Sequence, residues 1–148
     1  MKRFILISAL VASACSAPQK DIQQDKIVAN YIKHNSPAPN EMALAIKNVS
    51  EKHQKTLQAI SIVESNGTPW AVGKSGEKGA FQVLEKDWGL VSKNPTDQAM
   101  QAEKILDELL QASKNERHAL AKYNGGSRPN KRAWKYADKV LKVRKSLG

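Results

Sequence analysis

The sequence predicts a mainly α-helical single domain carrying a small irregular, glycine-punctuated loop or hairpin. Three observations lead there. Apolar residues recur at helical spacing through most of the chain, with no strand-like alternation of any length and no internal repeat. The 148 residues amount to one domain, and 41% hydrophobic with 26% charged residues sets aside disordered, collagenous and multi-span membrane chains. A single cysteine, Cys15, allows no internal disulfide, so the fold must hold by packing.

The elements follow in chain order. Lys2 and Arg3 precede an apolar stretch from Phe4 to Ala14, broken only by Ser8 and Ser13, which is the layout of a secretory leader over residues 1–14. That stretch is too short for a membrane-spanning helix, which needs about 20 residues. Ala12, Ser13 and Ala14 fit small-residue cleavage, while Val11-Ala12-Ser13-Ala14-Cys15 also resembles a bacterial lipobox with Ala12 in the usual leucine position. We read Cys15 as a lipidation site, which tethers the mature chain to a membrane surface. Residues 15–38 then comprise a polar leash, to about residue 24, and a short helix with Ile27, Val28, Tyr31 and Ile32 at helical spacing, ended by Pro37 and Pro39.

Residues 39–148 form the main domain. A helix is predicted over 41–53, capped by Asn40, with Met42, Ala45, Ile46 and Val49 on one face. Another starts near Lys55; Leu57, Ala59, Ile60, Ile62 and Val63 make it apolar on nearly every side, the mark of a helix surrounded by protein. Gly67 and Pro69 end it. A loop with Gly73, Gly76 and Gly79 leads to Phe81-Gln82-Val83-Leu84, and the segment 84–88 reads as a surface turn. Asn94-Pro95-Thr96-Asp97 is the clearest helix start: a capping Asn, Pro at the first helical position and an acid in the first turn. That helix runs to about Ala112 on a stripe of Ala99, Ala102, Leu106 and Leu109. A short helix from Asn115 stops at Gly125-Gly126, and a last one starts near Pro129 with Ala133, Tyr136, Val140, Val143 and Leu147 on its docked face.

Charge is concentrated at one end. The formal net charge is +10, of which residues 114–148 carry +9 and residues 1–113 only +1. Such a field favours an anionic partner, such as a lipid surface, an acidic wall polymer or nucleic acid, and equally describes a solvated helix face. No zinc finger, RNP-like run or basic region joined to heptads supports specific nucleic-acid binding. His34, His53 and His118 are scattered, and neither HxxxH nor CxxC spacing occurs, so no metal site is predicted.

Glu64 is the carboxylate that stands out. With Leu57, Ile60 and Ser61 at i−7, i−4 and i−3, it shares a face with core residues at a helix C-terminus. Desolvation and the negative helix end both raise the pKa of a carboxyl so placed, which suits a general acid. A helix-end glutamate pointing into solvent fits the same segment.

Three further motifs stand in order: Ile62 to Val72, containing Glu64-Ser65; Gly76 to Gln82; and Ala119-Leu120-Ala121-Lys122-Tyr123-Asn124-Gly125-Gly126. Together these resemble the soluble lytic transglycosylase domain family, over roughly residues 41–141, with Tyr136 matching a tyrosine of the family's last core helix. The resemblance implies a lysozyme-like fold and cleavage of peptidoglycan glycan strands between MurNAc and GlcNAc, without a cofactor. It implies that Glu64 protonates the glycosidic oxygen and then takes the proton of the MurNAc 6-hydroxyl, giving a 1,6-anhydromuramoyl end. It also implies that Ser65 hydrogen-bonds near the acid, that Gln82 with Phe81 belongs to the substrate-binding motif, that Tyr123 and Asn124 line the cleft, and that Tyr136 orients the carboxylate; a core anchor explains Tyr136 equally well. Gly79-Ala80-Phe81-Gln82 replaces the usual Gly-Leu-Met-Gln, and Asn124-Gly125-Gly126 the commoner Asn-Ala-Gly, which bears on the shape of the sugar pocket.

Glu77, Glu85 and Asp87 are the nearest second carboxylates, and a goose-type-lysozyme-like hydrolase would need one of them to activate water. A non-catalytic envelope-binding protein using residues 114–148 is the third reading. The leader and Cys15 imply export to the periplasmic face of a bacterial membrane, with Ser16 favouring the outer membrane.

Overall fold

A computed structural model describes residues 19–148, with side chains placed from Ile22 onward. The leader, Cys15 and the first residues of the leash lie outside the described residues. Among the described residues seven helices follow one another: α1 (Gln19–Lys33), α2 (Pro39–Lys47), α3 (Glu51–Ser65), α4 (Glu85–Trp88), α5 (Pro95–Gln111), α6 (Glu116–Gly125) and α7 (Lys131–Ser146). Between α3 and α4 the chain makes only two isolated antiparallel bridges, Val72 with Lys78 and Lys78 with Val83. The expected mainly helical fold with a small irregular hairpin is therefore what forms.

Helix α3 is the axis of the domain. Every residue from Thr56 to Ile62 is buried, polar Gln58 and Ser61 included. Those two are satisfied across the core: Gln58 Nε2 donates to Ile27 O at 3.0 Å, and the Tyr31 hydroxyl meets Ser61 Oγ at 2.7 Å. Buried polar groups paired in this way cost little and fix how α1 sits on α3. Helices α2, α5 and α7 pack around the same axis, and α6 packs on both α5 and α7.

Local boundaries depart from the sequence reading in several places; the segment read as a surface turn over 84–88, for one, is the single-turn helix α4. Helix α1 begins at Gln19, inside the segment whose polar composition reads as a leash, and continues through the four turns that bury Ile27 and Tyr31. The helix expected over 41–53 divides at Asn48–Ser50. There the Asn48 amide turns back to Leu44 O at 2.8 Å, and Ser50 N donates to Glu103 Oε1 of α5 at 2.9 Å. Residues 51–53 thus belong to α3. Asn40 is not a cap, because Pro39 already occupies the first helical turn and Ala38 holds the cap position without a side-chain bond.

The C-terminus of α3 is closed by Asn66 in the left-handed region (φ 54°), with Gly67 N bonded to Ser61 O at 3.0 Å. Asparagine tolerates that conformation better than other non-glycine residues. The caps at Asn94, Asn115 and Asn130 are formed, accepting from Thr96 N at 2.8 Å, His118 N at 2.9 Å and Ala133 N at 3.0 Å respectively.

Candidate active site

Glu64 is the penultimate residue of α3, so its backbone is anchored by the most buried helix of the molecule while its side chain emerges at the end of it. It opens into a cleft of about 810 Å³ whose lining also includes Gln82, Tyr123 and Asn124. Four of the sequence-predicted site residues, drawn from α3, the glycine loop and α6, therefore meet in one place. A second depression, about 490 Å³ beside Pro69 and Trp70, has no carboxylate in its lining and does not reach Glu64.

Burial is the main cause that raises the Glu64 carboxyl from an ordinary 4.5 to about 7. Smaller influences oppose one another: the Tyr136 hydroxyl and Lys139 favour the charged form, and Glu77 disfavours it. The Tyr136 hydroxyl lies beside this carboxyl yet is buried without a hydrogen-bond partner of normal geometry. Burial, and then Glu64, push both the Tyr136 and Tyr123 phenols well above their usual range. The two rings stack with centroids 6.5 Å apart and planes 4° from parallel, which ties α6 to α7 beside the acid. Tyr123 is fixed further by donating to Phe81 O at 2.9 Å.

The glycine loop supplies the opposite part of the lining. Gln82 has a positive φ of 49°, and its Nε2 donates to Gly79 O at 3.0 Å and Ala71 O at 3.3 Å, which leaves Oε1 as its free polar atom. A Cβ at Gly73 would fall 2.2 Å from Glu77 Oε2 and 2.5 Å from Gln82 Oε1. Only glycine lets these two side chains close over the loop backbone. Glu77 Oε2 also accepts from Ser75 N at 3.1 Å.

Phe81 and Ser65, the other motif residues expected at the site, hold its backbone. Phe81 is 1% exposed and packs in the core, so its ring does not line the cleft; an aromatic in a tight loop is drawn inward, and only its carbonyl serves the site. Ser65 is spent on backbone: its hydroxyl donates to Ala80 O at 2.8 Å and accepts from Thr68 N at 2.9 Å, pinning the loop to the end of α3. Of the alternative carboxylates, Glu85 is held below the usual range by Lys78, 2.9 Å away, and by Val91 N. Glu77 and Asp87 both line the cleft.

Sequence reasoning passed over Arg132, which also lines this cleft. In the sequence it is one more cation of the basic segment 114–148. Its place four residues before Tyr136 was the signal, since i and i+4 share a helix face. Away from the cleft, His53, Glu103 and Asp107 bring potential ligand atoms within 4.8 Å of one another. His53 Nε2 and Asp107 Oδ1 are hydrogen-bonded at 2.7 Å, and the Lys52 ammonium stands 3.9 Å from the same oxygen.

A family model described as the transglycosylase SLT domain matches residues 41–144. No curated protein and no solved structure matches the chain.

Proposed function

Because the chain belongs to the transglycosylase SLT domain family, of lysozyme-like fold, we propose that it is a peptidoglycan lytic transglycosylase in which Glu64 alone serves as acid and base. The observation that carries this reading is a single burial-raised carboxyl on a rigid helix end, in a cleft lined by Gln82, Tyr123 and Asn124. With the pKa near 7, a large share of Glu64 is protonated at neutral pH and can donate to the oxygen between MurNAc C1 and GlcNAc. As that C1–O bond breaks, the GlcNAc hydroxyl keeps the proton and Glu64 becomes a carboxylate. It then removes the proton of the MurNAc 6-hydroxyl, whose oxygen closes on C1. Glu64 ends protonated, the product ends in 1,6-anhydroMurNAc, and no water is consumed.

The hydrolytic alternative rests on Glu77, which lines the cleft and is close enough to raise the Glu64 pKa. Such an enzyme would activate water with a second carboxylate and release a reducing sugar. Mass spectrometry of muropeptides released from purified sacculi separates the two. Products lighter by one water, with anhydro ends, are expected; reducing ends alone would show a hydrolase.

The pH dependence follows from the same carboxyl. A raised pKa keeps the acid form present up to about 7, so kcat/KM is expected to be high below that value and to fall as pH rises through it. An alkaline limb with its midpoint near the ordinary glutamate value of 4.5 would detach the acid step from a buried Glu64.

A further inference from the structure

Charges of both signs line the cleft. The glycine loop and α4 contribute Lys74, Glu77 and Asp87, whereas α6 and α7 contribute Lys122 and Arg132. Lys122 is engaged, its ammonium bonded to Ala112 O at 2.5 Å. Two other arginines of this basic region are also engaged: Arg117 with Asp138 at 2.7 Å, its guanidinium 4.7 Å over the Trp134 ring, and Arg144 with Glu116 and Thr56. Arg132 makes neither an ion pair nor a hydrogen bond among the described residues, and it is exposed at the cleft. On α7 it stands one turn before Tyr136, with Lys139 three residues further on, so the three share a helix face, of which Tyr136 and Lys139 act on Glu64.

A guanidinium with its fork unoccupied, set in a cleft beside an acid–base group, is suited to gripping a carboxylate through two parallel N–H···O bonds. Under the transglycosylase reading, on which this inference rests, the substrate carries carboxylates only on its muramoyl residues: those of the stem peptide or, once the peptide is removed, the lactyl group itself. We propose that Arg132 binds a muramoyl-linked carboxylate and so selects charged glycan and sets which sugar lies over Glu64.

The test uses the full chain with peptide-bearing glycan, with amidase-stripped glycan, and with each of these after its carboxyls are capped as methylamides. For Arg132→Glu, kcat/KM on uncapped glycan is expected to fall about 10- to 100-fold, mainly through KM. The parent's preference for uncapped over capped glycan should collapse in that variant. Arg132→Lys should retain part of the preference, since it keeps the charge and loses the fork. A preference seen with peptide-bearing glycan alone assigns the peptide carboxylates, and one that persists after amidase treatment assigns the lactyl group. Lys145→Glu makes the same charge change on the exposed end of α7, away from the cleft lining. An equal loss in Lys145→Glu, or equal losses of Arg132→Glu on capped and uncapped glycan, would overturn the proposal. Co-sedimentation of the Glu64→Gln protein with capped and uncapped sacculi, with and without Arg132→Glu, reads the same contact without turnover. If the parent yields no anhydro product while carboxylate-dependent binding still needs Arg132, the enzymatic reading fails and this one stands.

Discussion

Glu64→Gln is expected to reduce release of anhydromuropeptides by at least about 10² to 10⁴, the range over which general acid–base catalysis contributes. The amide has nearly the shape of the acid but no transferable proton, so the cleft keeps its form and loses its chemistry. The same change also tests whether the carboxyl is buried. In the native chain the folded-state pKa is about 7 against 4.5 for an ordinary glutamate, so the folded state holds its proton more tightly than the unfolded state does. That contribution is fully kept below about pH 4.5 and is lost as pH rises through about 7. Above that pH the parent must bury a charge, and the variant need not. Glu64→Gln should therefore melt close to the parent at pH 4 and above it at pH 8, by something on the order of 1 to 3 kcal/mol. Undiminished product release by Glu64→Gln would remove this residue from the mechanism, and equal melting at both pH values would show that it is solvated.

Gln98→Ala should cost about 3 to 5 kcal/mol, because it removes several buried hydrogen bonds and leaves a cavity. Gln98 is 3% exposed on the first turn of α5. Its Nε2 donates to Pro69 O and Ser92 O, each at 2.8 Å, and its Oε1 accepts from Ala80 N at 2.9 Å. One amide thus holds three points of the excursion that carries the glycine loop and α4. Gly79 makes room for it: at φ 79°, a Cβ there would lie 2.7 Å from Gln98 Oε1. Thermal unfolding should shift downward by about 10 °C or more for a domain of this size. Activity should fall further than the remaining folded fraction explains, since Gln82 is placed by the same loop. Met100→Ala, at an exposed position on the same helix, is the comparison and should change stability by no more than about 0.5 kcal/mol. A Gln98→Ala protein melting within about 2 °C of the parent would show that the loop holds itself.

What the sequence made readable was mostly local. Asn94-Pro95 marks the start of α5 because both the cap and the proline act within one turn. The apolar run of α3 reads as a core helix because it leaves no polar face, and Glu64 stands out against that run. What stayed hidden depends on distant partners. The break between α2 and α3 is held by Ser50 N on Glu103, residues 53 apart in the chain. Gln98 looks like an ordinary polar residue in a first helical turn until Pro69, Ala80 and Ser92 gather around it. Phe81 reads as part of a sugar pocket from its place beside Gln82, yet alternation along a tight loop turns one side chain inward and its neighbour outward.

Glu64 and the surface around it belong to parts of the chain that tolerate change very differently. The acid is mounted on an axis packed by α1, α2, α5 and α7, where almost any replacement is felt throughout the domain. The stretch from Thr68 to Asn94 leaves that axis and returns to it, held by isolated bridges and a few side-chain bonds. Descendants of this chain can accordingly acquire new glycan preferences by rebuilding that detour while inheriting the proton-handling group unaltered, and a designer wishing to retarget the molecule would begin there.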